Sequence, residues 1–76
     1  MDADQDLDAT GLLCPLPVLK ARKRLASMAP GQTLCLTADD PAAVVDVPHY
    51  CAEAGHALVS VQEESGGVRR YLIRKA

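Results

Sequence analysis

The chain contains no tryptophan and no phenylalanine, and its two tyrosines are its only aromatic residues. A core must therefore come from Leu, Val, Ala and Ile, and a platform for stacking nucleic-acid bases is missing. No apolar run approaches the ~20 residues that a membrane span requires, and no secretory apolar region stands near the N-terminus. With 8 Lys and Arg against 10 Asp and Glu, the formal charge is −2. That balance lacks the cations by which dedicated nucleic-acid binders neutralise phosphate. Three cysteines do not make an even disulfide set. Together these absences predict a reduced, cytoplasmic protein with no direct membrane contact and only an indirect link to nucleic acid. A single domain over 1–76, with 1–5 frayed, fits this length. Such a short chain buries only about 60% of its unfolded surface, which places any chemistry at the surface and argues against a deep cofactor pocket. No cofactor is expected.

What is present is concentrated in Gly11-Leu12-Leu13-Cys14-Pro15-Leu16-Pro17. Neither proline can donate to a backbone ladder, but both fit the first turn of a helix, where the missing N–H groups would be unpaired anyway. Cys14 then lies at or beside the N-cap, where the helix macrodipole and free amides are expected to lower the thiol pKa. Gly11 supplies the freedom for a tight strand-to-helix turn. The third residue after Cys14 is Pro17, which excludes a C-x-x-C dithiol. A lone nucleophilic thiol suits the holding and passing on of a group such as a persulfide sulfur. No general base is visible beside the motif, so partners are expected to supply that function.

Around this stretch the pattern alternates between strand and helix. Leu7–Thr10 reads as a short edge strand. From Pro17 to Met28 the apolar positions Val18, Ala21, Leu25 and Met28 recur at helical spacing, with Leu19 and Ala26 widening the stripe. Lys20, Lys23 and Arg24 gather on the other side, either a solvated face or a docking surface for an acidic partner. Thr33–Ala38 reads as a strand with Cys35 in its core face. Asp39-Asp40-Pro41 starts a second helix, which Pro48 is expected to break after Asp46, leaving a second piece from Val47 to Ala54. Gly55 fits the position after the helix end. His56–Glu63 alternates, with Ala57, Val59 and Val61 on one face. Glu64-Ser65-Gly66-Gly67 reads as a hairpin turn and Val68–Arg74 as a last strand, its Arg69, Arg70 and Arg74 guarding an edge. His49 and Cys51 are two apart and point in different directions on a helix, so no metal site is expected. The order β-α-β-α-β-β predicts an α/β two-layer sandwich, with two helices on one face of a four-stranded mixed sheet.

The run Leu7-Asp8-Ala9-Thr10-Gly11-Leu12, followed by Cys14-Pro15-Leu16-Pro17, resembles the signature of the TusA-like (SirA-like) sulfur-carrier family. Asp39-Asp40-Pro41-Ala42, Asp46-Val47-Pro48 with Cys51 after it, and Tyr71-Leu72-Ile73-Arg74-Lys75 extend the likeness from about Asp6 to Lys75. The resemblance implies the same sandwich fold and a persulfide carried on Cys14, with Gly11, Pro15 and Pro17 as the supporting motif. It implies a cysteine desulfurase or rhodanese as sulfur donor and another sulfur-relay protein as acceptor. The relay would serve tRNA thiolation, molybdenum-cofactor synthesis or sulfur oxidation, with the chain a sulfurtransferase-type co-substrate of partner enzymes. Leu13 and Leu16 replace the arginine and glutamate often found beside the cysteine. Two alternatives stay open: a non-catalytic regulatory or RNA-associated module resting on the basic helix, and a thiol-redox protein pairing Cys14 with Cys35 or Cys51.

Overall fold

The structure, a computed structural model, describes residues 3–76. Its elements are β1 (Gln5–Asp8), α1 (Leu16–Ala26), β2 (Thr33–Ala38), α2 (Ala43–Ala54), β3 (Ala57–Glu63) and β4 (Arg69–Arg74), with a 3₁₀ turn at Ser65–Gly67 before β4. The strands form one mixed sheet in the order β1-β2-β4-β3. β1 pairs parallel to β2, which requires a crossover, and α1 is that crossover. β4 runs antiparallel between β2 and β3. The sandwich expected from the element order is the fold observed.

Period-two alternation decides which sheet residues meet the helices. Leu34, Leu36 and Ala38 of β2 and Tyr71 and Ile73 of β4 face inward against Ala21, Leu25 and Met28 and against Ala43, Val47 and Cys51 of α2. Each fully buried leucine, valine or isoleucine contributes about 1.5–3 kcal/mol of transfer free energy, so this one layer carries most of the stability. Cys35 is also buried, but it alternates with Leu34 and Leu36 and so lies on the opposite sheet face, outside that core. Leu19 and Ala26 do not widen the buried stripe of α1; both are exposed.

Several boundaries differ from the sequence pattern for identifiable reasons. The strand starts at Gln5, and Asp4 is tied to Thr33, whose N–H donates to Asp4 Oδ2 at 2.8 Å. The expected fraying over 1–5 therefore does not reach Asp4 and Gln5; Met1 and Asp2 lie outside the described residues. α2 runs unbroken through Pro48. The donor that Pro48 lacks would have served the carbonyl of Val44, in the first turn of the helix, where Val44 and Val45 are exposed. In β3 the register shifts between Leu58 and Ser60, which sets Leu58 opposite Ile73 and Val61 opposite Tyr71. This bulge puts Leu58 and Val61 on the helix side and cancels the simple alternation. β4 is interior, so its arginines guard no edge; Arg69 pairs with Glu63 at 3.3 Å and Arg70 with Glu64 at 3.4 Å.

α2 ends at Gly55, which adopts φ +79° and whose neighbour His56 donates its N–H to the Cys51 carbonyl at 2.9 Å. A Cβ at Gly55 would meet no other atom, so a substitution there costs backbone strain alone. Gly55→Ala is expected to lower the unfolding free energy in urea by about 1 kcal/mol without disturbing the thiol.

Candidate functional site

β1 and β2 are parallel neighbours, so their carboxyl ends lie side by side and the loops into α1 and α2 leave the same edge of the sheet. The loop after β1 carries Cys14, and the loop after β2 carries Asp39 and Asp40. Asp8 organises the first turn by accepting from the Thr10 N–H at 2.9 Å and the Thr10 hydroxyl at 2.7 Å. These bonds hold its carboxyl below the ordinary value. Gly11 takes φ +80°, a conformation other residues enter only with strain, and its N–H donates to Asp39 Oδ1 at 2.9 Å. The Cys14 N–H donates to Asp40 Oδ2 at 2.6 Å, while Asp40 Oδ1 accepts from the Ala42 N–H at 3.2 Å. The Cys14–Pro15 peptide bond is cis.

Pro15 is the N-cap of α1, Leu16 opens the helix and Pro17 follows within its first turn, so Cys14 stands one residue outside the cap. The expected lowering of its pKa does not occur. Pro17 has no amide to offer and the Leu16 N–H is already given to the Leu13 carbonyl at 2.9 Å, so little of the helix terminus is left for the thiol. Instead, the Asp46 carboxylate accepts a hydrogen bond from the thiol and raises its pKa. Desolvation and the negative charges of Asp46 and Asp40 act in the same direction.

Cys14 opens onto a groove of about 310 Å3 between the helices. Pro15, Val18, Leu19 and Arg22 line it from α1 and its cap, and Asp46, His49, Tyr50 and Glu53 from α2. Arg22, Asp46, His49 and Glu53 were not marked by the sequence as site residues; for Asp46, His49 and Glu53, the spacing of three and four along α2 is the signal that was there to be used. Cys14 is exposed, whereas Cys35 and Cys51 are each 2% exposed and burial pushes both thiols up. Lys20, Lys23 and Arg24 do not share the thiol groove. They line a separate depression with Leu7 and Ser27 on the β1 side of α1. Arg24 is moreover committed to β1, donating to Gln5 Oε1 at 3.3 Å and to the Asp6 carbonyl at 3.1 Å.

Comparison with known proteins gives a consistent result. The family described as sulfurtransferase TusA matches residues 5–75. Among solved structures, the SirA-like protein of Desulfitobacterium hafniense superposes with a TM-score of 0.83 at 25% identity, over 92% of this chain and 95% of that one. No helix among the described residues is long and apolar enough to cross a membrane.

The geometry around the thiol makes a direct prediction. Asp46→Asn removes the carboxylate that favours the protonated thiol, so the Cys14 pKa falls. Alkylation of Cys14 by iodoacetamide at pH 7 should become severalfold faster, while the two buried thiols stay unmodified by intact mass.

Proposed function

Because this chain belongs to the TusA family of sulfurtransferases, whose role is of the sulfur-carrier type, we propose that Cys14 carries the sulfur as a persulfide. The carrying observation is that Cys14 alone of the three thiols is exposed, on a loop pinned at both ends to a second loop. The Cys14 thiolate attacks the terminal sulfur of a persulfide on the donor, a cysteine desulfurase or rhodanese. A new S–S bond forms, the donor's S–S bond breaks, and the donor cysteine leaves as a thiolate with the electron pair. An acceptor cysteine then repeats the step on Cys14, so sulfur moves without net oxidation. The acceptor belongs to a relay serving tRNA thiolation, molybdenum-cofactor synthesis or sulfur oxidation.

Burial of Cys35 and Cys51 favours this reading over a dithiol switch, and the acidic residues around Cys14 weigh against a phosphate-binding role. Gly11, Pro15 and Pro17 support the turn. A partner that docks through Lys20 and Lys23 would do so on the β1 side of α1, in a depression separate from the thiol groove, where Arg24 is held by β1.

The rim nearest the thiol is apolar. Leu13 is 69% exposed, Leu16 45% and Leu19 47%. An apolar rim gives partners contact area without a charge code, so partner choice should depend on it. Leu13→Arg with Leu16→Glu is expected to change the rank order of donors and acceptors in transfer assays; an unchanged order counts against this. The role of the thiol itself is tested by incubation with a cysteine desulfurase and cysteine. Wild type should gain one sulfur, released by reductant, and Cys14→Ser should gain none. A gain kept in Cys14→Ser would overturn the assignment.

A further inference from the structure

Three stripes of α1 meet three different surroundings. Pro17, Ala21 and Leu25 are buried in the core. Val18, Leu19 and Arg22 line the thiol groove, whereas Lys20, Lys23, Arg24 and Ser27 line the second depression, of about 360 Å3, with Leu7. At 3.6 residues per turn, the centres of the last two stripes stand roughly 140° apart around the helix axis, on opposite flanks of the buried one. A short segment seated in one depression therefore leaves the other uncovered.

The two flanks also differ in charge. The thiol groove carries the carboxylates of Asp46 and Glu53, while the charged groups of the β1 flank are all cations. Arg24 is spent on Gln5 and on the Asp6 carbonyl. Neither Lys20 nor Lys23 has an ion-pair partner among the described residues. Leu7 packs against the core, and Asp6 and Asp8 alternate with it to the opposite face of the sheet. The Ser27 hydroxyl donates to the Arg24 carbonyl at 2.8 Å. That is the negative end of the α1 dipole, so an incoming anion is drawn to the lysines instead.

Two uncompensated ammonium groups beside a half-buried leucine are complementary to carboxylates that flank an apolar side chain. A nucleic-acid strand is charged along its whole length and would run against Asp6 and Asp8 at the same sheet edge. We propose that this depression is a docking site for an acidic segment of a partner protein, with carboxylates on Lys20 and Lys23 and an apolar side chain on Leu7, and that it is filled while Cys14 stays open to a second protein. The site itself does not depend on the sulfur-carrier reading; only the use of holding two proteins at once does.

The test is an amide chemical-shift titration of the full chain with a short peptide alternating glutamate and leucine. Shifts should centre on Leu7, Lys20, Lys23 and Ser27, and the affinity should fall severalfold between about 50 and 200 mM salt. Lys20→Glu with Lys23→Glu should weaken binding roughly tenfold, and Lys20→Arg with Lys23→Arg should keep it, which separates charge from any effect on folding. A bulky maleimide on Cys14 should leave the peptide's affinity unchanged, and saturating peptide should leave the rate of Cys14 alkylation unchanged. Shifts centred on the thiol groove, binding lost when Cys14 is blocked, or no salt-sensitive binding at all would each overturn the proposal. So would an oligouridylate that binds the same four residues more tightly than the peptide, since the depression would then serve nucleic acid. A chain that accepts no sulfur from any donor leaves every one of these outcomes as it was, so the docking site and the carrier reading fail separately.

Discussion

The buried Asp40 carboxylate ties together the two loops on which the site is built. Asp40 is almost fully buried and accepts the Cys14 N–H with one oxygen and the Ala42 N–H with the other. A buried carboxylate is costly unless its lone pairs are filled, and bonds to an ionised acceptor are among the stronger ones. Here the same group sets the height of the thiol loop and the start of α2. The start of α2 fixes where Asp46, His49 and Glu53 fall relative to Cys14. Parallel pairing of β1 and β2 makes this possible, because only adjacent parallel strands release both loops at one edge. Asp39 adds a second tie through Gly11.

That frame presents the thiol without activating it. The position outside the α1 cap, the prolines that remove amides, and the carboxylates of Asp40 and Asp46 together keep the sulfur protonated. For a carrier this has a physical advantage. A neutral thiol reacts slowly with oxidants and stray electrophiles, so an exposed cysteine survives between transfers. In the carrier reading, reactivity is left to a docked partner to supply. Exposed Leu13 and Leu16 flank Cys14 in the chain and Leu19 lines its groove, so a partner seated there in the carrier reading would exclude water from the place where charge develops.

Much of this was legible in the sequence. Helical spacing in Val18, Ala21 and Leu25, the strand-like Thr33–Ala38 and the glycine at position 55 were enough for the order of elements, and that order led to the sandwich. Gly11 and Cys14-Pro15-Leu16-Pro17 marked the loop that carries the exposed thiol. What was not legible depends on contacts distant in the chain. Nothing local reveals that Asp40 reaches Cys14 across 26 positions, or that Asp46 faces the thiol and reverses its expected pKa shift. Pro48 reads as a helix break because the rule counts a lost donor; it does not weigh that the loss falls in an exposed first turn. The β3 bulge shifts the inward face by one residue, a change the alternation of Ala57, Val59 and Val61 gives no sign of. The basic residues of α1 were visible as a group, yet it is Arg22 that lines the groove, and Arg24 is spent on β1.

The central claim is that Cys14 both receives sulfur and gives it up. The most direct measurement follows radiolabelled sulfur loaded on the purified chain from a donor persulfide, then chased with an acceptor protein bearing a reactive cysteine. The account predicts that label mapped to the Cys14 peptide disappears as label appears on the acceptor in equal amount. Label that stays on Cys14, or that leaves from a peptide containing Cys35 or Cys51, would contradict it.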